Sequence, residues 1–193
     1  MPRRSDAKNK MIKTALLLFR EKGYHGVGLA EILEQSGAPK GSFYHHFPGG
    51  KQELALAVLD AANRFMLRLI DNAFENAGTV EAAVDAVIDD IVELAASEKF
   101  SLGCPVTSFS VELTREDGEI RKRADTVLRG WVQRMVEQLE PFSPDQDELK
   151  RYTEVFRAVL TTIEGGWIVS QIQKSAEPLL IAKQVFRSMD KLQ

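Results

Sequence analysis

Between Ser36-Gly37 and Pro48-Gly49-Gly50 the chain has room for one short helix and little else, and this constraint shapes its first fifty residues. Upstream, Leu29, Ile32 and Leu33 recur at helical spacing with Glu31, Glu34 and Gln35 on the wet side. A helix therefore begins near Gly28 and ends at Ser36-Gly37. Pro39 suits the first turn of the next helix, because its fixed φ is already helical and its missing N–H has no intrahelical partner to lose. Pro48 and the glycine pair stop that helix after about eight residues, roughly 12 Å of rise. Two helices joined by a Gly-containing turn, the second sized for one major groove, have the layout of a helix-turn-helix DNA reader.

On the second helix Phe43 and Phe47 lie four apart and anchor one face to a core, so the opposite face is left wet or against a partner. The candidate DNA contacts are Lys40, Gly41, Ser42, Tyr44, His45 and His46, with Lys51 just beyond the turn. An ammonium, a hydroxyl, a phenol and imidazoles can all donate to phosphates or base edges, and no carboxylate interrupts them. Gly41 lets the backbone approach closely. The other reading of this stretch is an ordinary helical hairpin whose Tyr and His are amphipathic surface residues.

Gly23-Tyr24 after the first helix, Ile32, Gly37, Lys40-Gly41-Ser42, Phe43-Tyr44, Phe47, Lys51 and Leu54 together resemble the TetR family of transcriptional regulators. The run APKGSFYHHFPGGK at residues 38–51 and a GCP at residues 103–105 are similar to the LmrA/YxaF-like subgroup. These motifs occupy mainly the first quarter of the chain. Two departures stand out. Val27-Gly28 replaces the Thr or Ser usual near the start of the family's second helix, leaving no side-chain oxygen for the first amides. An extra glycine precedes Lys51, which changes its reach toward a phosphate.

The charge pattern agrees. Residues 1–51 carry nine Lys or Arg against Asp6, Glu21, Glu31 and Glu34, a net of +5; with −3 overall, the remainder holds −8. A basic head on an acidic body holds phosphates locally without general adhesion to nucleic acid.

The 193 residues allow one large or two small domains, and 44% hydrophobic content is that of a globular protein. No apolar run approaches the length of a membrane span, and the charged N-terminus lacks a signal peptide's apolar core, so the expected location is cytoplasmic with no membrane partner. The single Cys104 excludes an intrachain disulfide and a thiolate zinc cluster. Gly50-Lys51 fails as a phosphate loop, since the earlier glycine falls at His45 and Gln52 follows the lysine. His25, His45 and His46 lack metal-ligand spacing. Neither enzyme activity nor a cofactor nor a metal is expected.

Helical periodicity continues to the end, without strand-like alternation: residues 5–22, a long helix over 50–76, another from Gly78-Thr79 to about Ser97, a short one over 106–113, then 117–140, 146–174 and 177–191. The fold class is all-α, with an N-terminal three-helix DNA-binding domain at residues 1–50 and a helical effector-binding and dimerisation domain at 51–193.

The resemblance implies a small-molecule pocket among the long helices and a two-fold homodimer made by the last two. Candidate pocket residues are Phe65, Met66, Leu69 and Phe74, then Ile91, and then Cys104, Phe109, Trp131 and Met135. The competing reading of each is plain core. An apolar lining suits a hydrophobic or aromatic effector. Cys104 has a second reading as an oxidant sensor, since helix-start amides activate a thiolate. For the dimer, Phe156, Leu160, Ile163, Trp167 and Ile168 form one apolar surface and Leu180 and Val185 another, with Gly165 beside Gly166 where close backbone approach offsets two helical glycines. A two-fold dimer presents two reading helices to a palindromic operator in double-stranded DNA. The resemblance thus implies a repressor released by its effector. The rival is a helical small-molecule-binding or adaptor protein without sequence-specific DNA binding.

Overall fold

The computed structural model describes residues 4–110, 112–142 and 144–191, except for the side chains of residues 4–6 and Phe109. In chain order the helices are α1 (Arg4–Lys22), α2 (Leu29–Ser36), α3 (Lys40–His46), α4 (Gly50–Glu75), α5 (Val80–Ser97), α6 (Thr107–Ser110), α7 (Gly118–Glu137), α8 (Gln146–Gln173) and α9 (Glu177–Asp190). Among the described residues there is no strand. The all-α expectation holds.

Local chemistry sets the boundaries. Gly23, at φ +74°, closes α1 by donating its amide to Phe19 O at 3.0 Å. Gly37 ends α2 at φ +65°, with Ala38 N bonding Leu33 O at 3.1 Å and Gly37 N bonding Glu34 O at 3.2 Å. That pair of bonds is a Schellman closure, which only a residue tolerant of the left-handed region makes without strain. Pro39 is the N-cap of α3 rather than a residue of its first turn, because its ψ of 143° is extended. Thr79 Oγ1 caps α5 by accepting from Ala82 N at 3.1 Å, and an Asp145–Glu148 capping box starts α8. The short helix expected over 106–113 is only one turn, α6. The helix expected from residue 117 starts at Gly118, behind a 3₁₀ turn at Arg115–Asp117.

The chain forms two compact units. The first takes residues up to Asn63 together with Cys104–Val127, and among its fully buried side chains are Phe19, Phe43, Phe47 and Leu59. It thus holds α1–α3, the first half of α4, α6 and the start of α7. The second unit takes Arg64–Gly103 and the chain from Leu128, and buries Ile70, Phe156, Trp167 and Phe186 completely. Ion pairs join α4 to α7 inside each unit: Arg123 to Asp60 at 2.7 Å in the first, Arg134 to Asp71 at 2.6 Å in the second. The Arg134 guanidinium holds the Asp71 carboxyl below its ordinary range, with Gln138 adding a 2.8 Å bond.

Candidate nucleic-acid interface and effector cavity

Helix α3 is fixed by its two buried rings. Phe43 and Phe47 lie 5.5 Å apart, centroid to centroid, and both are sealed from solvent. Their burial turns Lys40, Gly41, Tyr44 and His45 outward, all exposed, with Ser42 and His46 half-buried at the edges. Six of the seven expected DNA contacts therefore sit on one short helix, and the four exposed ones form its outer face. Of Tyr44, His45 and His46 the last is the most enclosed, its ring 5.1 Å from His45 and 6.4 Å from Phe47. Lys8 of α1, absent from the sequence-based set, places its ammonium 5.5 Å from the Phe47 ring centre.

Lys51, expected to reach a phosphate, lies near the start of α4 with its ammonium against a ring. Its Nζ stands 4.3 Å from the centre of the Tyr24 ring, and burial pushes its pKa down while the Asp117 charge partly opposes that fall. The extra glycine explains the placement. Gly50 takes φ +73°, Gly49 N donates to Glu53 Oε2 at 2.7 Å, and α4 starts with Lys51 turned onto the tyrosine.

The turn between α1 and α2 is gripped by the segment before α7, a contact that sequence reasoning missed. His25 Nε2 is 2.8 Å from Asp117 Oδ2, and the same oxygen accepts from Thr114 N at 2.7 Å and Thr114 Oγ1 at 2.8 Å. Burial alone would raise the Asp117 pKa, but the two Thr114 bonds and His25 outweigh it and hold the carboxyl below its ordinary range. Glu112 lies so close over Gly23 that a Cβ there would meet its carboxylate at 1.8 Å. Arg121 secures the segment from behind, donating to Leu113 O and Thr114 O. A histidine and an aspartate ninety-two positions apart carry no periodic signal, so only the fold reveals the pair.

In the second unit four helices enclose a cavity. Helix α4 contributes Met66 and Ile70, and α5 contributes Val84, Val87, Ile88 and Ile91. Helix α7 adds Trp131, Val132 and Met135, while α8 closes it with Val159, Leu160, Ile163, Glu164 and Trp167. The void left is about 30 Å³, room for a water molecule or two. Of the nine residues expected to line a pocket, Met66, Ile91, Trp131 and Met135 do so. Phe65 and Leu69 line a separate open groove between α4 and α5. Phe74 packs edge-on against Phe156, 6.5 Å between ring centres. Cys104 is buried outside the lining, its sulfur accepting from Val106 N at 3.4 Å. The Phe109 side chain lies outside the described residues.

The expected dimer residues divide by burial. Phe156, Ile163 and Trp167 belong to the core of their own unit, and Trp167 Nε1 donates to Leu102 O at 2.9 Å. A ring already enclosed cannot also face a second copy. Leu160 lines the cavity and Val185 is half-buried, while Ile168, Leu180 and Gly165 face outward. Val169, Ile172 and Ile181 share that exposure, with Ile172 at 77%, and sequence periodicity alone did not separate them from the core. Gly166 explains one of the two helical glycines: a Cβ there would stand 2.6 Å from Pro178 O, so α8 and α9 meet within one chain. Gly165 has nothing within 4 Å.

Residues 11–58 match the family "Bacterial regulatory proteins, tetR family", and residues 80–185 match "Transcriptional regulator LmrA/YxaF-like, C-terminal domain". The HTH-type transcriptional regulator LmrA of Bacillus subtilis (strain 168) is 29% identical over 176 residues, 91% of this chain and 92% of that protein. The uncharacterized HTH-type transcriptional regulator YxaF of the same organism is 30% identical over 186 residues, 96% of each. Among solved structures, regulatory protein TetR from Rhodobacter sphaeroides superposes with a TM-score of 0.80 at 27% identity, covering 95% of this chain and 98% of that one. The chain belongs to the TetR family of bacterial transcriptional regulators and carries a C-terminal domain of the LmrA/YxaF-like type.

Proposed function

We propose that this regulator is a repressor that binds a palindromic operator as a homodimer and leaves it when a small hydrophobic or aromatic effector occupies the second unit. The observation that carries the DNA assignment is the outward face of α3, where Lys40, Tyr44 and His45 stand exposed while Phe43 and Phe47 fix the helix from behind. In this reading residues 1–50 are the DNA-binding part and 51–193 hold effector and partner. The dimer forms through α8 and α9, whose exposed Ile168, Ile172, Leu180 and Ile181 make an apolar surface that water solvates poorly. The effector site is the four-helix cavity, which must widen, because small-molecule pockets hold about 300–1,000 Å³.

The test is a salt-controlled gel shift with the intergenic DNA flanking the gene and unrelated competitor DNA. A competitor-resistant complex of dimer size supports the reading and permits a screen for effectors that dissolve it. Binding that unrelated DNA removes and salt abolishes at every fragment would overturn the operator assignment. The helical adaptor reading would then stand in its place.

A further inference from the structure

The open groove between α4 and α5 has a volume of about 440 Å³, against about 30 Å³ left in the four-helix cavity. Each helix lines it with one stripe at i, i+3 and i+4: Phe65, Arg68 and Leu69 from α4, and Asp90, Glu93 and Leu94 from α5. Leu69 is buried and Leu94 half-buried, while the Phe65 ring is 41% exposed. Other carboxylates of these helices are paired, Asp71 with Arg134, and Glu81, Asp85 and Asp89 with Arg187 and Lys183 of α9. Among the described residues Arg68, Asp90 and Glu93 make no ion pair or side-chain hydrogen bond, and no such bond joins residues 64–75 to 80–97. Partial loss of hydration, then the Glu93 and Asp89 charges, raise the Asp90 pKa, so an arriving cation relieves a repulsion that the chain leaves in place.

We propose that this groove binds a small zwitterion with an apolar body, its anionic group meeting Arg68, its ammonium meeting Asp90 and Glu93, and its body lying on Leu69, Leu94 and the Phe65 ring. A cation alone leaves Arg68 unmatched, and an anion alone faces two carboxylates. Only a ligand with both charges complements both walls. An aromatic body adds ring contact with Phe65. The site is separate from the cavity, which the same helices line through Met66, Ile70, Val87 and Ile91, and it stands whether or not the cavity takes an effector. A ligand spanning the groove supplies the polar tie between α4 and α5 that these residues lack, and so opposes their parting.

The probes are 4-(aminomethyl)benzoate, a rigid aromatic zwitterion, and its single-charge analogues benzylammonium and benzoate. Each is titrated into the full-length wild type, into Arg68→Gln and into Asp90→Asn combined with Glu93→Gln, with amide NMR shifts reporting affinity and location. All three side chains are exposed, so the variants are expected to fold, which circular dichroism checks. In the wild type the zwitterion should bind about fivefold more tightly than either analogue, near the upper worth of an exposed ion pair, with the largest shifts at Phe65, Leu69 and Leu94. Arg68→Gln should erase its advantage over benzylammonium, and the double variant its advantage over benzoate. No shift at these residues, a zwitterion no tighter than its analogues, or advantages that survive the variants overturn the proposal. Shifts centred on the Trp131 indole place the probe in the cavity and overturn it too, leaving the effector reading intact. If a variant does not fold, the wild type decides at raised salt, where an advantage that fails to shrink overturns the proposal.

Discussion

His25 Nε2 and Asp117 Oδ2 meet at 2.8 Å across ninety-two residues, joining the turn after α1 to the residue just before α7. The aspartate is almost closed to solvent and also caps its own 3₁₀ turn through Thr114. One carboxyl group therefore orders two segments of the first unit. Asp117→Asn weakens or removes three charge-assisted contacts and is expected to cost about 1–3 kcal/mol of stability, measured by urea unfolding near neutral pH. His25→Ala should cost less, because its side chain is 47% exposed and Thr114 still holds the carboxylate.

The same group predicts an acid limb. The folded state holds the Asp117 pKa below its ordinary value, so its contribution is complete above the unfolded value, about 4, and is lost as pH falls through the folded one. Urea midpoints of the wild type and Asp117→Asn should converge as pH falls below about 4. A gap that stays constant well below about pH 4, through the acid range in which Asp117 takes up its proton, would remove the ionised carboxylate from the account.

For DNA, Tyr44→Ala and His45→Ala are each expected to weaken operator binding by about 1–3 kcal/mol with thermal stability unchanged, since both side chains are exposed. Lys40→Ala should lower the salt slope of binding by about one. Lys51→Ala is expected to act on stability as well, because its ammonium lies on the Tyr24 ring, a contact of about 0.5–2 kcal/mol. Melting curves and gel shifts on the same four proteins separate the two classes.

At the C-terminal helices, Ile172→Glu and Leu180→Glu are expected to give folded monomers by sedimentation, as their side chains are exposed in the single chain. Trp167→Arg, by contrast, places a charge where a fully enclosed indole donates to Leu102 O, and should unfold the protein rather than merely separate subunits. Retained dimers in the first pair would move the interface elsewhere.

The two helical glycines give opposite outcomes. Gly166→Ala forces a methyl group against the Pro178 carbonyl, which is backbone and cannot swing aside, and should cost about 1–3 kcal/mol. Gly165→Ala meets open space in the single chain and should stabilise it by about 0.5–1 kcal/mol. Thermal unfolding of both variants at a concentration that keeps the protein monomeric decides.

Much of this was readable from the residue order, and the reasons differ by element. The expected bounds of α1, α2, α4, α5, α8 and α9 fall within one or two residues of those observed, because Gly23, Gly37, Thr79 and Asp145 stop or cap helices by local chemistry. The outward face of α3 follows from Phe43 and Phe47 alone. Less legible was what covers each apolar stripe. Phe156 and Ile168 have the same hydrophobic character and belong to one helix, yet one is enclosed by its own chain and the other faces outward. Periodicity identifies a buried side without naming the neighbour that buries it. The Lys51–Tyr24 contact was hidden for a related reason: a lysine's position does not reveal that a nearby ring will lie against its ammonium.

The cavity is nearly full, with about 30 Å³ unoccupied. For any effector taken up there, no ready vacancy exists and binding depends on excursions in which α4, α5, α7 and α8 part. Its apparent affinity is then the intrinsic affinity of the parted form reduced by how rarely that form occurs. At high effector concentration the rate of response stops rising, because it is limited by how often the helices breathe rather than by how often a molecule arrives.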